Sequence, residues 1–108
     1  MIARIWRGIV ERYDAALYLA YLHRTGVPDY QVTPGNMGVT ILQRDVEDVV
    51  EFTVLSFRES MEAIRAFAGE NPEVARYYPE DKQYLLDFEP LVEHFTVPFT
   101  DLPARSSP

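Results

Sequence analysis

The chain has 108 residues, 47% of them hydrophobic, enough for one compact domain with a modest core and too few for two. Ten basic against seventeen acidic residues leave a formal net charge of −7, the wrong sign for a surface that tracks phosphate backbones, so nucleic acid is not expected as a partner. The chain contains no cysteine, which removes disulfides, thiolate nucleophiles and thiolate metal sites together. No apolar run approaches the roughly 20 residues that cross a bilayer, and the start MIARIWRGIV lacks signal-peptide organisation. The expectation is a cytoplasmic protein without a membrane partner.

Taken in chain order, Ile2 to Val10 is β-branched and aromatic and is apolar at both parities, which predicts a central strand covered on two faces. From Tyr13 to about Arg24, the residues Tyr13, Ala16, Leu17, Ala20 and Tyr21 recur at helical spacing, and Gly26 with Pro28 marks an end. Pro34-Gly35-Asn36 is a turn signal ahead of a second strand over Met37 to Arg44. Asp45 to Asp48 turns the chain, and Val49 to Phe57 reads as a third strand forming an antiparallel hairpin with the second. Ser60 is an N-cap for a helix over Met61 to Ala68, with Glu62 in its first turn and Gly69 beyond it. Asn71-Pro72-Glu73 starts a short helix to Tyr78, and Pro79 interrupts it. Glu80 to Leu86 suits one or two further helical turns, and Phe88 to Val97 a last strand. The order is the β-α-β-β-α-β pattern of an α+β, ferredoxin-like domain over residues 1–97, followed by an irregular tail over 98–108. Because the strands are apolar at both parities, one sheet face needs a cover that the helices do not supply. A homodimer is the simplest source.

Several segments together resemble one family: MIARIWRG at the start, PGNMGV before the second strand, EFTVLSFRES and AIRAFAGE through the second helix, and ARYYPEDKQYL before FEPLVEHF. They look like the antibiotic biosynthesis monooxygenase-like proteins of the dimeric α/β-barrel superfamily. The resemblance implies two sheets joined into a barrel, with a pocket in each protomer between sheet and helices. It also spans several activities: cofactor-independent oxygenases, haem-degrading enzymes and small-molecule isomerases. The haem-degrading branch uses an Asn on the first strand, a Trp at the end of the third and a His on the helical segment that follows. Those places fall near Trp6, at Arg58 and near Tyr77 here, and none of the three matches. Neither haem nor another cofactor is expected.

By strand alternation Trp6, Arg58 and His94 share a parity that points toward such a pocket, and Tyr77 and Tyr78 lie in the segment that would close it. An aromatic cavity with basic ends suits a flat, small aromatic or hydrophobic ligand. Arg58 could hold an enolate or carboxylate oxygen, and His94 could move a proton near neutral pH. Trp6, Tyr77 and Tyr78 are then substrate-binding residues, and Arg58 and His94 the catalytic ones. The same residues have packing roles to weigh: Trp6 as a core aromatic, Arg58 paired with Glu59 or Glu62, His94 at an interface. The acids Glu47, Asp48, Glu51, Glu80 and Asp81 read as a solvated face. His23 and His94 are the two histidines, without a partner at helical spacing, so no metal site is expected. The reading is a cofactor-independent monooxygenase acting on a small aromatic or polyketide-like molecule. The alternatives are a non-catalytic binding or stress-response dimer, and a lyase or isomerase using His94 as base.

Overall fold

Residues 1–32, 34–68, 77, 79–87 and 91–102 of the computed structural model are described here, the side chains of 30 and 66–68 left aside. They form an antiparallel sheet with helices, an α+β fold of the ferredoxin-like kind expected. Strand β1 (Ile2–Glu11) is central. It pairs with β3 (Val49–Arg58) along its whole length on one side, and on the other with β4 (Leu85–Asp87) and β5 (Glu93–Thr96). Strand β2 (Asn36–Val46) lies outside β3. The expected hairpin closes on a two-residue turn, with Val46 opposite Val49 and Glu47 at a φ of 55°. That left-handed residue matches the twist of the paired strands.

The last strand differs from the expectation. Leu85–Asp87 is a strand, β4, where further helix was expected, and of the strand expected over Phe88 to Val97 the described part is the short β5 over Glu93–Thr96. Ile9 and Val10 face β4, and Ile2 to Ile5 face β5. Pro90, which has no N–H to give a ladder, lies in sequence between them. The expected helix over Pro72 to Tyr78 lies outside the described residues.

Helix α1 (Ala15–Arg24) follows a 3-10 turn over Arg12–Asp14, and of the stripe its spacing suggested Tyr21 is buried while the rest is not. Tyr13 and Leu17 are 80% and 59% exposed, whereas Tyr18, Tyr21 and Leu22 are buried. Two stripes at helical spacing compete on this segment. The one carrying two tyrosines and a leucine removes more apolar surface from water. Tyr18 packs on Phe52 of β3 with ring centroids 5.4 Å apart, and Tyr84 closes over Tyr18 at 5.6 Å and Tyr21 at 5.5 Å. Helix α1 ends at Arg24 as expected, but Gly26 and Pro28 do not take the chain out of helix. After Thr25, whose hydroxyl donates to the Tyr21 carbonyl, a second helix α2 occupies Gly26–Val32. Pro28 is tolerated there because first-turn N–H groups have no helical acceptor in any case.

Helix α3 (Met61–Ala68) starts as expected, with the Ala63 N–H donating to Ser60 Oγ at 3.2 Å. Gly35, at a φ of 83°, turns the chain beneath it; a Cβ there would stand 2.6 Å from that of Ala63. On β3 the even-numbered residues from Val50 to Arg58 are all buried against this helical layer. Phe52, Val54, Trp6, Val10 and Leu85 share the main core with Tyr18 and Tyr21.

Candidate functional site

The strand registers decide which of the predicted residues meet. Trp6 lies opposite Val54, Ile2 opposite Arg58, and Arg4 opposite both Ser56 and His94. Trp6, Arg58 and His94 therefore share the helix-covered face, as their parity predicted. Three further polar residues share it that sequence reasoning passed over. Arg4 and Ser56 stand two residues before Trp6 and Arg58, and Asn36 of β2 lies opposite Arg58. Alternation along β1 and β3 would have found the first two. Asn36 is reached only through an irregularity in the β2 ladder, where register shifts between Asn36 and Gly38. That insertion moves Asn36 onto the buried face.

The indole of Trp6 is nearly enclosed. It lies back along its own strand over Gly8, and its Nε1–H donates to the Tyr77 hydroxyl at 3.2 Å, the two rings meeting edge to face at 6.2 Å. Tyr77 is thus brought to Trp6; Tyr78 lies outside the described residues. Arg58 is 0% exposed and donates from Nε to Ser56 Oγ at 3.3 Å. A guanidinium buried to that degree is not the surface partner of Glu59 or Glu62. Arg4 is 3% exposed. His94 is half-buried, with Nε2 enclosed. The side-chain amide of Asn36 has both polar atoms enclosed and no hydrogen bond among the described residues. Two guanidiniums, an imidazole, an amide and a hydroxyl thus gather at one end of this face, with the Trp6–Tyr77 pair along the same strand.

A second polar group lies at the edge of the aromatic core. Asp81, in a 3-10 turn over Pro79–Gln83, was expected on a solvated face and is instead 4% exposed. Burial raises its carboxyl pKa to about 6, against the opposing pull of the nearby Tyr21 hydroxyl; neighbouring Glu80 adds to the rise. The Tyr21 phenol is pushed up to about 12, first by burial and then by the negative charges of Asp81 and Glu80. Tyr84, next to this turn, packs on Tyr18 and Tyr21 of α1, a tertiary contact that a count of charges in the sequence does not register.

The opposite face of the sheet has no helix over it among the described residues. It holds a shallow trough of about 430 Å³ floored by Ile5, Leu42 and Leu55 and edged by Arg7, Arg44 and Glu51. Leu42 and Phe95 are 50% and 48% exposed there. Arg7 pairs with Glu93, and Arg44 with Glu51 at 3.0 Å. Among the described residues no three acidic or histidine side chains gather as a metal site, and no helix is long and apolar enough to cross a membrane.

No protein-family model matches the chain, and no curated protein does. Solved structures do match it. A putative antibiotic biosynthesis monooxygenase from Nitrosomonas europaea superposes with a TM-score of 0.63 at 13% identity, over 92% of this chain and 100% of that one. Another from Bacillus cereus gives 0.60 at 15% identity, over 94% and 97%. The haem degrader MhuD from Mycobacterium tuberculosis, with two haems bound, gives 0.58 at 20% identity, over 93% and 98%. Trp6, Arg58 and Tyr77 do not suit the role of a haem site built on Asn, Trp and His: Arg58 is fully enclosed on Ser56, and the Tyr77 hydroxyl takes the Trp6 N–H. The resemblance read from the sequence holds for the architecture, and this chain has the fold of the antibiotic biosynthesis monooxygenase-like structures.

Proposed function

We propose that this protein is a cofactor-independent monooxygenase-type enzyme acting on a flat aromatic or polyketide-like molecule. The observation that carries the reading is the gathering of Trp6, Tyr77, Arg58 and His94 on the single sheet face that the helices cover. Trp6 and Tyr77 offer aromatic surface, Arg58 stabilises the oxygen of a substrate anion, and His94 accepts the proton whose loss creates that anion. An electron-rich carbanion or enolate can reduce dioxygen directly. In an anthrone-type substrate the reacting CH₂ becomes a carbonyl, one oxygen atom enters the product and the other leaves as water, so no external reductant is required.

The test is an oxygen-electrode assay with 1,8-dihydroxyanthrone. One oxygen is expected to be consumed per quinone formed, and Arg58→Ala to lower the rate about 10²-fold or more, as loss of an oxyanion donor does. Saturable quenching of Trp6 fluorescence without oxygen uptake would instead establish a sequestering protein. Product without oxygen uptake, lost in His94→Ala, would establish a lyase or isomerase.

The uncovered sheet face supports a homodimer as the working unit. Ile5, Leu42, Leu55 and Phe95 form an apolar patch, and the Arg7–Glu93 and Arg44–Glu51 pairs at its rim offer polar contacts to a second copy. Light scattering is expected to report twice the monomer mass. Leu55→Asp, which sets a charge in the middle of the patch, is expected to give a monomer. A wild-type monomer at micromolar concentration would overturn this assembly.

A further inference from the structure

We infer that the ligand of this site is an anion, a flat aromatic carrying a carboxylate or enolate, and that Arg4 and Asn36 share with Arg58 the recognition of its negative oxygens. The inference rests on the small-aromatic reading above for the site, but not on the oxygenation chemistry.

Three observations carry it. Arg4 and Arg58 are both almost completely buried, on one sheet face, and stand on neighbouring rungs of the β1–β3 ladder: Arg4 opposite Ser56 and Arg58 two residues further on. Such diagonal neighbours lie about 7–8 Å apart, within the reach of two long side chains toward a common group. They stand in the interior of a chain whose net charge is −7 and whose other described cations are on the surface. The planar guanidinium fork of each matches a carboxylate.

The second observation is Asn36. Its amide is enclosed on both its nitrogen and its oxygen, with no hydrogen bond to any described residue, and it stands opposite Arg58. Buried polar groups are as a rule satisfied, and an orphan pair beside a cation marks a place where a ligand atom completes the set. An anionic oxygen would accept from the Asn36 Nδ2–H, and a hydroxyl neighbouring it on the ring would donate to Oδ1. The third is His94, held opposite Arg4 on β5 and so on the same rung. The ring oxygen, the carboxylate and the imidazole would all lie within one short stretch of sheet.

Calorimetric titration with 2-naphthoate and with its neutral isostere 2-naphthamide, at pH 7, separates charge from shape. The expected result is naphthoate affinity at least tenfold above that of the amide. Arg4→Lys, which keeps the charge and loses the fork, should reduce naphthoate affinity severalfold, and Arg4→Gln should reduce it further, narrowing the ratio of acid to amide affinity while Arg58 keeps part of it. Equal affinity of wild-type protein for acid and amide would overturn the anion inference and leave the aromatic reading standing, whatever the variants do. Binding of neither compound would overturn both. The wild-type comparison requires no substitution, so a variant that fails to fold does not rescue the inference.

Discussion

Gly8→Ala is expected to destabilise the protein by about 2 kcal/mol and to shift the emission of its single tryptophan to the red. The sign is the informative part, because a glycine within a strand is ordinarily a weakness, and alanine there recovers roughly 0.5–1 kcal/mol. Here the added Cβ would stand 2.3 Å from Cη2 and 2.8 Å from Cζ2 of Trp6, and 2.9 Å from Cδ2 of Leu85. The indole cannot yield cheaply. Its Nε1–H is committed to the Tyr77 hydroxyl, its ring meets Tyr77 edge to face, and the core packs around it. Relief of the clash must push Trp6 off the strand, breaking the hydrogen bond and exposing a ring that is 9% exposed in the native fold. Denaturant unfolding with tryptophan emission as readout checks both halves. A variant as stable as the parent, with unshifted emission, would show that Gly8 does not shape the seat of Trp6. If Trp6 is a ligand platform, the same substitution should weaken aromatic ligands, since the platform and its backing glycine are one arrangement.

What the sequence revealed of this site follows from the simplicity of strand geometry. Period-two alternation is robust once a strand is recognised, so Trp6, Arg58 and His94 could be assigned to one face from parity, and the β1–β3 and β1–β5 registers put them there. The same logic reached Arg4 and Ser56 in principle, but both sit within apolar strands and drew no notice. Asn36 was hidden by the ladder irregularity beside it, which breaks parity locally. Helix α1 shows the opposite difficulty. Its residues offer two apolar stripes, and only the surrounding aromatics, Phe52 and Tyr84 above all, select the one holding Tyr18 and Tyr21. Asp81 was unreadable for a related reason. A carboxylate between Glu80 and Lys82 has every local mark of a surface residue, and its burial beside Tyr21 of α1 is set by tertiary structure.

That buried carboxylate gives the protein a specific dependence on pH. Between about pH 4 and pH 6 the contribution of Asp81 to stability is expected to fall by about 3 kcal/mol in total, at no more than about 1.4 kcal/mol per pH unit, and then to level off. The direction follows from which state holds the proton more tightly. In the unfolded chain the carboxyl ionises at its ordinary 3.8, whereas in the folded protein burial delays ionisation to about 6. Below both values the proton is bound in either state and nothing is lost. Between them the unfolded chain releases its proton and gains solvation that the folded state forgoes, so stability declines as pH rises. Above about 6 both states are ionised and the difference is constant. Tyr21 extends the same logic to alkali: its phenol, held neutral to about 12 beside Asp81, keeps its proton where an unfolded tyrosine loses it near 10, so the stability it contributes is lost as pH rises across that interval. Asp81→Asn removes the acid at nearly constant size. The stability of the parent minus that of the variant should therefore fall with pH across the acid window, leaving the variant relatively more stable at pH 8 than at pH 3.5. Urea titrations of both proteins at several pH values isolate this one carboxyl from the other acids, which titrate alike in the two. A difference that does not vary with pH would mean that Asp81 is solvated in the folded protein, and that the Pro79–Gln83 turn does not seal against α1.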